Sequence, residues 1–257
     1  MTVRQIHALI DTIAPFDTQE AFDNSGLLVG SPETEITGIL IAMDVTSRVL
    51  DEAESLQCNL LITHHPMMFH ARKTLNESDP ESRLLAHMIR SGTCLIAAHT
   101  NLDRAPGGIN DALARRCRLT EITGEGFVRF GHLVPSLSLP ELVSFLSQEL
   151  RTTVRVLGSP DCSSQISRIV VSSGAGSEMW PYALQQNAQV FLTGEIRHHD
   201  ALAMNEEGII GLECGHFATE EPGLFALKSA LQSDQLIVES NIRVCVSQVG
   251  AYAMPKT

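Results

Sequence analysis

The chain has 257 residues, 44% hydrophobic and 19% charged, enough apolar material for one large core or two small ones. Its 18 Lys and Arg against 30 Asp and Glu leave a net charge of −12, and no basic cluster stands out, which argues against binding to a bare nucleic-acid backbone. No apolar run approaches the ~18 residues of a bilayer span, and Met1 to Ile13 is interrupted by Arg4, Gln5 and His7, unlike a secretory signal; the expectation is a soluble, cytoplasmic protein with no membrane partner.

Val3, Ile6, Leu9, Ile10 and Ile13 share one helical face, so the first element is a helix from Val3 to Ile13, closed by Pro15. Thr37 to Met43 reads as a strand, and Asp44 to Ser47 as capping chemistry for a helix reaching about Gln57. Leu60 to Thr63 is an apolar strand stopped by His64-His65-Pro66. Arg72 to Pro80 is polar loop, Glu81 to Ser91 a helix ended by Gly92, and Leu95 to Ala98 a strand running into His99. Gly107 to Arg116 is a short helix. The strand-then-helix beat argues for an α/β fold with mostly parallel strands.

The weakest joint lies at Glu121 to Gly126, which divides the chain into residues 1–125 and 126–257. Beyond it, Phe127 to Val134 is a strand. Ser138-x-x-Glu141 is a capping box for a helix from Glu141 to Leu150. Thr153 to Leu157 and Ile166 to Ser172 are strands. The small turn Ser172 to Ser177 leads into a helix to about Asn187. Val190 to Leu192 and Ile209 to Leu212 are strands, Glu221 to Gln232 is helical, and Leu236 to Glu239 and Ile242 to Ser247 close the chain as strands. The six cysteines, Cys58, Cys94, Cys117, Cys162, Cys214 and Cys245, form no C-x-x-C pair and read as buried, reduced thiols.

Three apolar strands deliver chemistry from their C-terminal ends, where open α/β sheets place ligands. They end at His64-His65, at His99 with Asp103, and at His216 with Glu220. Side chains alternate along a strand, so adjacent histidines serve two ions side by side more readily than one, unless the backbone turns between them. His99 and Asp103, like His216 and Glu220, are four apart and share a face wherever the chain coils into a helical turn. Each has a plainer explanation: a surface pair for His64 and His65, a core histidine for His99, a loop cap for Asp103, a first-turn acid for Glu220. Three strand ends repeating one design favour a composite metal site. His198 and His199 after Thr193-Gly194-Glu195 fit substrate contact or a solvated helix start. The Ser172 to Ser177 turn fits an anion cradle or simply a tight turn. No G-x-S-x-G, H-E-x-x-H or Walker sequence is present.

Asp23-Asn24-Ser25-Gly26-Leu27-Leu28-Val29-Gly30, Thr63-His64-His65-Pro66, Ala98-His99-Thr100-Asn101-Leu102-Asp103, Pro106-Gly107-Gly108-Ile109-Asn110-Asp111, Thr193-Gly194-Glu195 with His199, and Gly215-His216 with Glu220 resemble the motifs of the GTP cyclohydrolase 1 type 2 homologues, also called the Nif-three-like family. The resemblance runs from about residue 4 to 230. It implies two interlocked α/β domains with mostly parallel sheets, a metal site at the domain interface, and a ring-shaped homohexamer. The chain resembles the short form, without an inserted middle domain. The resemblance puts two divalent metal ions on His64, His65, Asp103, His216 and Glu220, with His99 beside them; three imidazoles and two carboxylates suit zinc, iron, manganese or nickel. The leading expectation, from the chemistry of paired ions, is hydrolysis of a small anionic, nucleotide-like substrate by a metal-bridging hydroxide, with His99, His199 or Glu195 moving protons. A metal-binding scaffold or regulatory partner without turnover is the alternative, and a phosphoesterase the third option.

Overall fold

The computed structural model describes residues 1–158 and 164–250, which form two units, each with its own sheet. The first opens with α1 (Val3–Ile13), which buries Val3, Ile6 and Ile10 and starts in a Thr2–Gln5 capping box. After β1 (Gly26–Val29) come β2 (Gly38–Ala42), α2 (Ser47–Ser55), β3 (Leu60–Thr63), α3 (Pro80–Ser91), β4 (Cys94–Ala97) and the short α4 (Thr100–Arg104). Strands β2, β3 and β4 are fully buried at every position, which is why their sequences read as unbroken apolar runs rather than alternating ones. Gly92, in left-handed conformation, ends α3 as its sequence position predicts.

The second unit, Gly107–Gly223, contains α5 (Ile109–Arg116), β5 (Leu119–Thr123), β6 (Arg129–Ser138), α6 (Leu139–Glu149), β7 (Arg155–Leu157), β8 (Gln165–Ser172), α7 (Pro181–Gln185), β9 (Val190–Thr193), α8 (His198–Glu206), β10 (Ile210–Glu213) and the start of α9 (His216–Ser233). Its sheet runs β5-β6-β8-β9-β10-β7, with only β8, β9 and β10 parallel. One core, under α5 and α6, gathers Leu113, Leu142, Leu146, Ile169 and Leu192. Another holds Val170, Phe191 and Met204.

The first unit resumes at Leu224, within α9, and continues through α10 (Gln235–Ser240) and β11 (Arg243–Val246). Strand β11 lies parallel to β2 and completes the order β1-β4-β3-β2-β11. Five of the nine strand pairings among the described residues are parallel, three of them in this sheet.

Three expectations are corrected here. The division lies at Pro106/Gly107, with a return at Leu224, not between residues 125 and 126. Glu121 to Gly126 belongs to an irregular hairpin, where β5 pairs with β6 across a register shift and Glu121 and Gly124 have positive φ; that local irregularity reads as a joint in one dimension. Leu236 to Glu239 lies in helix α10, not a strand. Asp234 caps it, Asn241 ends it in left-handed conformation, and Ile237 is its buried residue. A three-residue apolar run, Leu236 to Val238, does not distinguish the two states. Helix α9 also begins five residues before the expected Glu221, at His216.

The buried-thiol expectation holds for Cys58, Cys94, Cys117 and Cys214; Cys245 is partly exposed and Cys162 lies outside the described residues. Among the described residues no helix is long and apolar enough to cross a membrane.

Candidate metal centre

In the first unit, parallel register sets Ala42 beside Thr63 and Thr63 beside Ala97. The residues just past these strand ends therefore meet at one edge of the sheet. Strand β3 stops at Thr63, so the alternation expected of His64 and His65 no longer applies. The backbone turns, with Thr63 Oγ1 donating to the His65 carbonyl at 2.8 Å, and the two rings lie with centroids 5.0 Å apart. His99 joins them at 5.1 Å from His64 and 5.5 Å from His65. One ligand atom from each of His64, His65 and His99 lies within 4.8 Å of the other two.

Each ring is held by its Nδ1. His64 Nδ1 donates to the Ala98 carbonyl at 3.0 Å, His65 Nδ1 to Asp44 Oδ1 at 2.8 Å and His99 Nδ1 to Asp23 Oδ1 at 2.8 Å. A carbonyl or carboxylate oxygen only accepts, so in the neutral ring the proton sits on Nδ1 and Nε2 keeps its lone pair. That is the usual arrangement behind a metal-ligating imidazole. Asp103, buried in α4, brings Oδ1 to 3.6 Å from His64 Nε2. Its backbone N–H donates to the His99 carbonyl at 2.9 Å, so the predicted helical turn exists. The carboxylate it carries approaches His64, while His99 takes Asp23.

Asp23 is the most constrained acid of this group. Its side chain is fully buried, and it accepts from His99 Nδ1, from the Thr100 N–H at 3.0 Å and from the Thr100 hydroxyl. Burial pushes its carboxyl up, but hydrogen bonds from His99 and Thr100 and the attraction of His99 more than offset this and hold it well below the usual carboxylate range.

The second unit carries its own pair. His216 opens α9, and its Nε2 lies 3.2 Å from Glu220 Oε1 one turn on. His216 Nδ1 donates to Glu195 Oε1 at 2.8 Å, repeating the carboxylate-backed histidine of the first unit. Gly174 makes room for the pair. A Cβ there would sit 2.2 Å from Glu220 Oε1 and 3.2 Å from His216 Nε2, and its φ of +58° suits glycine. Gly194 is needed because a Cβ would come within 2.8 Å of His216 Cα and Thr219 Oγ1.

In the Ser172 to Ser177 turn two backbone donors are already engaged. The Ser173 N–H donates to Asn110 Oδ1 at 2.8 Å and the Gly174 N–H to Thr219 Oγ1 at 3.1 Å, so these donors serve the fold. His199 is 74% exposed at its side chain and lies 3.6 Å from its neighbour Asp200. Helix α8 begins at His198, the solvated helix start weighed for these two residues. Glu195 is tied to His216. Sequence reasoning gave no role to Asp23 and saw Asp44 only as part of the capping stretch Asp44 to Ser47. The cap of α2 is Thr46, whose side chain accepts from Val49 N–H at 3.2 Å. A usable signal was available in the two carboxylates that follow or precede apolar strands whose partners end in histidine.

The donor chemistry fits a metal of the nitrogen- and oxygen-loving first-row type: imidazoles with fixed tautomers, carboxylates within reach, and a glycine where a side chain would intrude. Fold and donors together define an α/β protein of two sheets with histidine–carboxylate groups that could hold metal. The chain belongs to the Duf34/NIF3 (NGG1p interacting factor 3) family, whose model it matches over residues 1–251. A relative from Clostridium perfringens (strain 13 / Type A), called GTP cyclohydrolase 1 type 2 homolog, is 31% identical over 248 residues, 91% of this chain and 94% of its own. The NGG1-interacting factor 3 of Saccharomyces cerevisiae is 27% identical over 268 residues, 91% of this chain and 93% of its own. Among solved structures, a Staphylococcus aureus hypothetical protein superposes with a TM-score of 0.88 at 27% identity, covering 98% of each chain.

Proposed function

We propose that this chain is a metal-dependent hydrolase that uses His64, His65, Asp103, His216 and Glu220 to hold two divalent ions, and that its substrate is a small, anionic, nucleotide-like molecule. The observation that carries the reading is the shared anchoring of His64, His65 and His216, each with Nδ1 on an oxygen acceptor, which in the neutral ring puts the lone pair on Nε2, the form that ligates metal. Zinc, iron, manganese and nickel suit such donors better than calcium or magnesium. When bound, the ions would supply a hydroxide nucleophile near neutral pH and Lewis-acid polarisation of the substrate.

The chain's own residues would do the rest. Asp44 and Glu195 fix the rings of His65 and His216, and the Ala98 carbonyl fixes His64. His99, its Nδ1 proton held by buried Asp23, offers Nε2 as the proton carrier in the manner of an Asp-backed histidine. His199 and Glu195, the other candidates for proton transfer, are less suited, since one is engaged with Asp200 and the other with His216. The names of the relatives support a nucleotide as the first substrate class to try.

The test is elemental analysis of protein purified without added metal, followed by turnover of nucleotides and phosphoesters with formate and phosphate as alternative products. Two equivalents of metal are expected, falling to one or none in Asp103→Ala, and turnover is expected to disappear in His65→Ala. An Asp103→Ala variant that still binds two equivalents tightly would refute the ligand assignment. Stable metal content with no turnover across the panel would replace the hydrolase with a metal-binding scaffold.

A further inference from the structure

Phe22 and Phe69 are 63% and 41% exposed, and they are two of the three exposed phenylalanines among the described residues. They come from segments 47 positions apart in sequence, yet their rings meet at 6.1 Å, tilted by 57°. Phe69 also stands edge-on to His99, with centroids 6.3 Å apart. Phe22 is the chain neighbour of Asp23, which holds His99, and Phe69 lies on the loop that follows His64 and His65. Two water-exposed aromatic rings beside a histidine cluster mark a binding surface rather than a core.

The neighbouring cleft, about 370 Å³, is lined by Phe69, His70, Arg72, Lys73, Thr74 and Glu81 among others. Arg72 is neutralised by Asp79 and Glu81. Lys73 forms no ion pair among the described residues and leaves a positive charge in a protein of net charge −12. The loop is pinned rather than loose at its base. Asn24 Nδ2 donates to the Met67 and Met68 carbonyls at 3.3 and 3.1 Å, and Met68 N–H donates to Glu81 Oε1 at 2.7 Å.

Resting on the function proposed above, we infer that Phe69, backed by Phe22, is the stacking surface for a planar heteroaromatic ring of the substrate, and that Lys73 takes its anionic group. Every base has a π-face that an exposed phenylalanine can cover, and an ammonium serves an anion as a point charge.

The experiment is calorimetric titration of the full chain with GMP and with ribose 5-phosphate, metal-loaded and metal-free. The ring should make GMP bind more tightly than ribose 5-phosphate. Phe69→Ala should weaken GMP about tenfold or more, Phe69→Trp should restore it, and neither should change ribose 5-phosphate affinity or metal content. Lys73→Gln should weaken both ligands. Equal affinity of the unsubstituted protein for the two ligands, or unchanged GMP affinity in Phe69→Ala, overturns the inference. So does a variant in which sedimentation changes while GMP affinity does not, since the rings would then contact another copy of the chain. Ring stacking read in metal-free protein survives a failure of the metal assignment, so the two ideas fail separately.

Discussion

Asp44 and Thr46 are two positions apart and have unrelated duties. Asp44 holds His65 Nδ1, whereas Thr46 caps α2. Removing a carboxylate behind a metal-bound imidazole typically costs about 10–100-fold in metal affinity. Asp44→Ala should therefore weaken zinc binding by that order in a chelator competition, with little change in the urea midpoint because Asp44 is half-exposed. Gly174 presents the opposite case. Any side chain at φ +58° is strained, and a Cβ would also collide with Glu220 Oε1. Gly174→Ala should destabilise the protein by about 2 kcal/mol or more in urea unfolding and should lower metal content; a variant as stable as the parent would contradict the packing described.

At the level of elements, the strands of the first sheet explain why the histidines meet. Parallel register brings the ends of β2, β3 and β4 to one edge, and the helices after them start or are capped there. Thr46→Ala, which removes the α2 cap, should cost about 1 kcal/mol measured by denaturant unfolding. Metal affinity should stay unchanged, in contrast to Asp44→Ala. Equal effects of the two substitutions on metal binding would show that the α2 start and the His65 anchor are one structure. Most of these elements were legible in the sequence because continuous apolar runs of four to five residues, such as Leu60 to Thr63, leave only a buried strand or a buried helix segment, and Gly, Pro and histidine punctuation picks the strand. Strand β1 and helix α10 were not legible. The first is short and half-buried, and the second is an apolar run whose state is decided by its Asp234 and Asn241 caps.

For the whole molecule, buried thiols give a pH signature. Burial pushes the Cys117 thiol from 9.0 up to about 12, and Cys214 well above 9.0. The folded chain keeps protons that the unfolded chain sheds. This contribution is complete below pH 9 and is lost as pH rises towards the folded values, by up to about 1.4 kcal/mol per pH unit for each thiol. Urea midpoints should thus fall between pH 8 and about pH 10.5, and thiol reagents should label native Cys117 and Cys214 far more slowly than the unfolded chain. Identical midpoints would show that these thiols ionise freely. The homohexamer implied by the family resemblance predicts six chains per particle in analytical ultracentrifugation.

The sequence by itself determined the α/β class, the family, and the residue types of the site, because strand-end histidines at 64, 65, 99 and 216 are chemical statements that need no coordinates. Only the tertiary structure decided what backs each histidine. Asp23 reaches His99 across 76 positions and Asp44 reaches His65 across 21. The return of the C-terminal segment, as β11 beside β2, into the unit that begins at Met1 was likewise hidden. A linear pattern records the local preference of each segment, whereas these partnerships follow from strand register and from the burial of polar groups that must find a partner once water is gone.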